Sequence, residues 1–287
     1  MLALAEAADG ADGAYPLSEH LVLRVRPDSA APAIHLLLRG PDGDLVGYAQ
    51  VDTADGDGPV AELVVHPARR RHGFGRALVE AACTVARERD PHGRLRIWAH
   101  GDHPSAGALA LSFDFKRARV LLRLRRSLAD EMNPPRLPAG VSLRAFRPGV
   151  DDEAWLAVNA RSFADHPEQG RWTRQDLTVR MDEPWFDPAG FLLAVEDGTG
   201  RLLGFHWTKV HPAADEPIGE VYVLGVDPSA HGRGLGKALT VAGLRHLRDR
   251  GLDQVMLYVD ESNIAAVALY GRLGFTRWAA DVQYRHG

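Results

Sequence analysis

A single cysteine in 287 residues, Cys83, rules out a disulfide within the chain and any CxxC metal site, and a reducing cytoplasm fits that usage. Lysine is nearly as scarce, three against 31 arginines. The net charge of −4 leaves no basic excess to bind nucleic acid by counterion release. The arginine bias reads as GC-rich coding rather than as a phosphate-binding surface. No apolar run approaches the roughly 18–20 residues of a membrane span. The opening MLALAEAADGADGAY lacks the basic n-region of a secretory signal and reads as a frayed start. No metal, membrane or nucleic-acid partner is expected. A G-x-x-x-x-G-K-[ST] loop is also missing, which removes the nucleotide-triphosphatase reading.

What is present is a repeat. HPSAGALALSFDF, His103 to Phe115, returns 160 residues later as NIAAVALYGRLGF, Asn263 to Phe275. The chain exceeds one ordinary domain of about 100–200 residues, and its 45% apolar content can fill two cores. The proline-broken stretch SLADEMNPPRLPAG, Ser127 to Gly140, divides it into residues 1–137 and 138–287. Each half opens with a hairpin pattern: HLLLR and LVGYAQV around GPDGD, then FLLAVE and LLGFHWTKV around DGTGR. A strand closed by proline follows (VAELVVHP, VYVLGVDP), then a glycine-rich turn and an amphipathic helix (RALVEAACTVARER, KALTVAGLRHLRDRG). LRIWA and QVMLYV are the next strands. The plan is mixed α/β in each half. The second half carries extra material in front, DDEAWLAVNARSF and TRQDLTVRM, read as two short helices walling a pocket, with Thr173 and Asp176 as a capping box.

The turns RRRHGFGRAL and HGRGLGKAL put Gly73, Gly75, Gly234 and Gly236 at strand-to-helix junctions. Glycine there permits close approach and leaves consecutive N–H groups facing the turn, a nest that accepts a pyrophosphate. One such turn alone reads more readily as helix-on-strand packing. Two in matching contexts resemble the R/Q-x-x-G-x-G/A signature of the GCN5-related N-acetyltransferases (GNAT), with Arg70 at the first position of one copy and His231 departing from it in the other. The resemblance implies two tandem GNAT domains, each a mixed, mostly antiparallel sheet flanked by helices, and acetyl-CoA as co-substrate. It implies cofactor contacts from Leu63, Val64, Val65, Arg71, His72, Gly73, Phe74, Gly75 and Arg76. The corresponding set in the second half is Leu224, Gly225, Val226, His231, Gly232, Arg233, Gly234, Leu235, Gly236 and Lys237, with Asn263, Ala265, Ala266 and Ala268.

Acetyl transfer to an amine requires the reactants held together, a proton taken from nitrogen and a proton offered to the departing thiolate. By the resemblance, Tyr270 presents a phenol to the sulfur and Glu220 acts as base. Period-two alternation puts Glu220 on the face of Leu224, four residues on. Aligning the halves puts Pro59 opposite Glu220 and Ala110 opposite Tyr270, so the first half is expected to lack the chemistry. HPEQGRW, GEVYVLGVDP and LYVDESNIAAVALYGRLGF resemble a tandem branch of the family that acetylates the cysteinyl amine of a thiol pseudodisaccharide. That likeness implies acceptor contacts from Glu19, Glu168, Lys209, Glu220 and Tyr258, on a chain expected to work as a monomer. A different amine, such as a protein N-terminus or an aminoglycoside, and a non-catalytic acyl-CoA sensor remain open at this level.

Overall fold

The structure is a computed structural model that describes residues 1–24, 33–53, 57–164, 166, 169–211 and 216–287, without the side chains of His20 and Arg24. The elements run α1 (Leu2–Asp12), α2 (Glu19–Arg24), β1 (Ala33–Arg39), β2 (Leu45–Asp52), β3 (Val60–Val65), α3 (Phe74–Arg89), β4 (Leu95–Ala99), α4 (Pro104–Leu111) and β5 (Lys116–Ser127). They continue β6 (Val141–Ala145), α5 (Asp152–Ser162), α6 (Arg174–Met181), β7 (Phe191–Glu196), β8 (Leu202–His211), β9 (Ile218–Val226), α7 (Leu235–Asp249), β10 (Gln254–Asp260), α8 (Ile264–Arg272) and β11 (Thr276–His286). Two compact units emerge: residues 1–123 with 260–264 and 277–287, and residues 124–259 with 265–276.

In the first unit β1, β2 and β3 are antiparallel, β3 and β4 are parallel, and β11 lies antiparallel to β4 on its other side. This unit therefore takes its last strand from the end of the chain. The second unit repeats the plan with β6 to β9 antiparallel, β9 parallel to β10, and the end of β5 beside β10 through the Leu128 N–H to Asp253 C=O bond of 2.8 Å. Helix α3 buries Leu78, Val79, Ala82 and Ala86 at helical spacing. Helix α7 does the same with Leu235, Leu239, Leu244 and Leu247. Fully burying each such leucine contributes about 1.5–3 kcal/mol.

The opening segment is not frayed. Residues 2–12 form α1, closed by Gly13 in the left-handed region, and Leu4, Ala5 and Ala8 pack with Leu17, Leu21, Tyr48 and Val64. Its small alanines let the helix lie close, a packing role that signal-peptide criteria do not consider. Both inserted helices form as expected. The Thr173–Asp176 capping box is complete, and α5 brings Trp155 into an aromatic core with Phe191, Phe205 and Trp207.

Candidate active site

The two glycine turns share one backbone conformation. Gly232 and Gly234 have φ of 74° and 77°, and the equivalent Arg71 and Gly73 have 65° and 84°. Gly73 and Gly234 are the residues on which α3 and α7 start. The first helical bonds run from Ala77 N–H to Gly73 C=O and from Ala238 N–H to Gly234 C=O. The amides before Ala77 and Ala238 in each first turn consequently have no intrahelical acceptor and face the turn. The departure at His231 has a structural explanation. Its Nε2 bonds the Val226 carbonyl at 3.0 Å, and Arg70 donates from Nε to the Val65 carbonyl at 3.3 Å. In both copies the first motif position ties the turn to the end of its strand, so a histidine serves as well as an arginine. The Arg70 guanidinium is further held by Asp12 through two bonds of 2.7 Å.

The repeated stretches 103–115 and 263–275 also share their turn geometry. Phe115 N–H bonds the Ala110 carbonyl at 3.1 Å and Phe275 N–H bonds the Tyr270 carbonyl at 3.0 Å. Asp114 adopts the positive φ (61°) that Gly274 takes in the other copy (84°). The Tyr270 ring is buried edge-on against Phe275, with centroids 5.5 Å apart, and burial pushes its phenol up to about 12. Asn263 is exposed just before α8, which carries Ala265, Ala266 and Ala268.

Strand β9 holds a bulge that the sequence pattern hides. Trp207 pairs with Val223 and Thr208 with Val221, leaving Tyr222 as the extra residue. The bulge reverses the alternation, so Glu220 shares the face of Lys209 and Leu224 lies on the other face with His206. The period-two expectation that joined Glu220 to Leu224 fails for this reason. No bulge interrupts β3, where Asp52 pairs with Val60 as Lys209 pairs with Glu220. The counterpart of Glu220 is thus Val60 rather than Pro59, and it still lacks a carboxylate. The parallel β9–β10 ladder covers Gly219–Val221 against Val255–Leu257, ahead of the Leu224–Val226 segment.

Glu220 is buried, and its Oε2 lies 2.5 Å from His211 Nε2. Lys209, among the expected acceptor contacts, is buried with Nζ 4.6 Å from the Trp185 ring centroid and 5.2 Å from that of Tyr222. Arg180 lies 3.8 Å over Trp172 and donates to the Tyr222 hydroxyl at 2.9 Å. Tyr258 on β10 is 40% exposed. Glu168 lies outside the described residues. The inserted helices and Lys209 are expected at a pocket wall from sequence, but its aromatic lining by Trp172, Trp185 and Tyr222 is not. Its available signal was the crowding of four of the six tryptophans, Trp155, Trp172, Trp185 and Trp207, into one segment.

The first unit has a cavity of about 650 Å³, lined by Leu63, Val64, Val65, Arg71, Gly73, Gly75 and Arg76 together with Ala110 and Tyr284. His72 bonds the Arg70 carbonyl through Nδ1 at 2.7 Å and stacks on Phe74. His100 also lines the cavity, with Nε2 3.3 Å from Glu62 and Nδ1 3.3 Å from Asp281. Burial alone would depress the imidazole, but these two carboxylates raise it to about 10. Ser18, rather than its neighbour Glu19 at the start of α2, completes the cluster by donating to Glu62 from both N–H and Oγ at 2.6 Å. Among the described residues no group of three or more His, Cys, Asp or Glu side chains is arranged to hold a metal ion, and no helix is long and apolar enough to cross a membrane.

The family model for the acetyltransferase (GNAT) family matches residues 6–113 and again 155–275. A mycothiol acetyltransferase of Salinispora arenicola is 64% identical over 289 residues, covering 99% of this chain and 92% of that protein. One from Thermobispora bispora is 58% identical over 290 residues, covering 99% and 94%. Among solved structures, a GCN5-related N-acetyltransferase from Sphaerobacter thermophilus aligns with a TM-score of 0.73 at 26% identity over 99% of this chain and 90% of that one. A tandem GNAT protein from the clavulanic acid biosynthesis pathway aligns with a TM-score of 0.77 at 23% identity over 99% and 93%, a likeness of fold. With two family matches and relatives this similar along nearly its whole length, the chain belongs to the GNAT acetyltransferase family, on the branch of the mycothiol acetyltransferases.

Proposed function

We propose that the chain transfers the acetyl group of acetyl-CoA to the cysteinyl amine of desacetylmycothiol, a cysteine joined to glucosaminyl-inositol, giving mycothiol and coenzyme A in the last step of mycothiol formation. The observation that carries this reading is the company of Glu220: a buried carboxylate just ahead of the β9 bulge, facing a cationic and aromatic wall rather than the α7 side. The turn at Gly232–Lys237 would hold the pyrophosphate on its amides, and Leu224–Val226 would align the pantetheine arm. The acceptor nitrogen attacks the thioester carbonyl while Glu220 takes its proton. The new N–C bond forms as the C–S bond breaks. A free α-amino group with a reference pKa near 8 requires little help to lose that proton. Tyr270, held protonated by burial, is a hydrogen-bond donor to sulfur as charge builds there.

Residues 138–287 carry the reaction in this reading, because Val60 and Ala110 stand where residues 1–137 would need a base and an acid. Lys209, Tyr258, Glu168 and Glu19 are assigned to the hydroxyl-rich acceptor. The reading includes a cytoplasmic location, which the lone cysteine fits, and one chain as the working unit. Incubation with acetyl-CoA and, in turn, desacetylmycothiol, a peptide N-terminus and an aminoglycoside tests the assignment. Turnover confined to the cysteinyl acceptor is expected, and preference for either other amine overturns it.

A further inference from the structure

Glu220 has a partner that the acetyl-transfer scheme does not yet use. His211, the last residue of β8, pairs across the ladder with Ile218, and Lys209 pairs with Glu220. Residues 209 and 211 therefore present the same face, and His211 is the diagonal neighbour of Glu220. Its Nε2 stands 2.5 Å from Oε2, with the carboxylate side chain 7% and the imidazole 35% exposed. A carboxylate only accepts, so an approach this close requires a proton on the line between Nε2 and Oε2. With that proton in place, Oε2 is committed and Oε1 is the oxygen left to receive one from the acceptor. Other charged groups on this side are Lys209, against Trp185 and Tyr222, and Arg180, bonded to the Tyr222 hydroxyl.

We propose that His211 is the positioning residue of Glu220: its Nε2–H holds Oε2 and thereby aims Oε1 at the amine nitrogen. The proton balance is simple. The amine proton moves to Oε1 as the N–C bond forms, the His211 proton stays on Nε2, and Oε1 returns its proton to water after the product leaves. Lys209 is buried against two aromatic rings, whereas the His211 imidazole is partly exposed and can donate to the carboxylate from its solvent side. The inference rests on the assignment of Glu220 as base.

Two variants separate the donor from the ring. His211→Gln keeps an N–H at about the reach of Nε2, and His211→Phe keeps bulk without a donor. Kinetics are measured on whichever amine the wild-type chain acetylates. The expected result is a kcat about 10- to 100-fold lower for His211→Phe with KM for acetyl-CoA unchanged, a share of the roughly 10²- to 10⁴-fold that a positioned base supplies. His211→Gln should recover most of that loss. A substrate-free readout accompanies it: a hydrogen-bonded imidazole N–H proton resonance in the wild-type NMR spectrum that is lost in both His211→Phe and Glu220→Ala. Wild-type kcat in His211→Phe, failure of His211→Gln to recover, or persistence of the resonance in Glu220→Ala overturns the proposal. If desacetylmycothiol is not the amine acetylated, the acceptor assignment falls, and the resonance and the kcat pattern on the true acceptor still decide the role of His211.

Discussion

Replacing His100 with leucine withdraws the cation from between Glu62 and Asp281. The two carboxylates raise the imidazole from 6.5 to about 10. At about 1.4 kcal/mol for each tenfold change in proton affinity, the cluster contributes at most about 5 kcal/mol. Removing one member of a buried ion pair costs about 3–5 kcal/mol by a separate route. Arg123 remains 3.6 Å from Asp281, so the lower figure, about 3 kcal/mol, is expected. Because the folded imidazole lies above its unfolded value, its contribution is whole below about pH 6.5 and disappears as pH climbs through about 10. Burial alone would raise Glu62, but His100 and Ser18 hold it below the ordinary carboxylate range. That contribution is present at neutral pH and lost only in acid. Thermal unfolding of wild type and His100→Leu at pH 6, 8 and 10.5 measures the gap. At roughly 2–4 °C per kcal/mol, about 6–12 °C is expected at pH 6, shrinking steadily to pH 10.5. A gap of the same size at all three values would refute the electrostatic account, since a packing defect has no reason to fade with pH.

Tyr270→Phe keeps the ring against Phe275, so the melting temperature should hold while kcat falls about 100-fold or more, near 3 kcal/mol in the barrier. With the phenol pushed up to about 12, Tyr270 itself gives the wild-type rate no basic limb below about pH 11, which a kcat–pH profile checks. Gly243→Ala would drive a Cβ into the ring of buried His206, whose Nδ1 donates to the Leu239 carbonyl at 2.8 Å. Overpacking there should destabilise the second unit by about 1–3 kcal/mol, read as an earlier urea transition. Gly234→Ala forces a side chain into φ of 77°. Strain of about 1–2 kcal/mol in the turn predicts a roughly 5- to 30-fold rise in KM for acetyl-CoA.

Much of the fold follows from pattern alone. Both hairpins, both glycine turns and the repeat of residues 103–115 in 263–275 form where alternation, glycine placement and helical spacing put them. Those signals are local. The bulge at Tyr222 was illegible because nothing in EVYVLGV marks which residue leaves the ladder; it is fixed by pairing with β8. Exchange of the final strands is likewise a long-range choice, and a proline-rich stretch says only that the chain bends there. Glu220 and Tyr270 could be named from motif resemblance, yet His211 and the wall of Trp172, Trp185 and Arg180 come together only through tertiary packing. His100, Glu62 and Asp281 lie on three separate segments, so no spacing rule could have joined them.

The most direct test of the central claim is a single assay of coenzyme A release from acetyl-CoA with desacetylmycothiol, comparing wild type with the Glu220→Ala, Tyr270→Phe double variant. The proposed mechanism predicts stoichiometric N-acetylation by the wild type and a loss of at least about 10³-fold in the folded double variant. Turnover of the cysteinyl amine that survives both substitutions would contradict it.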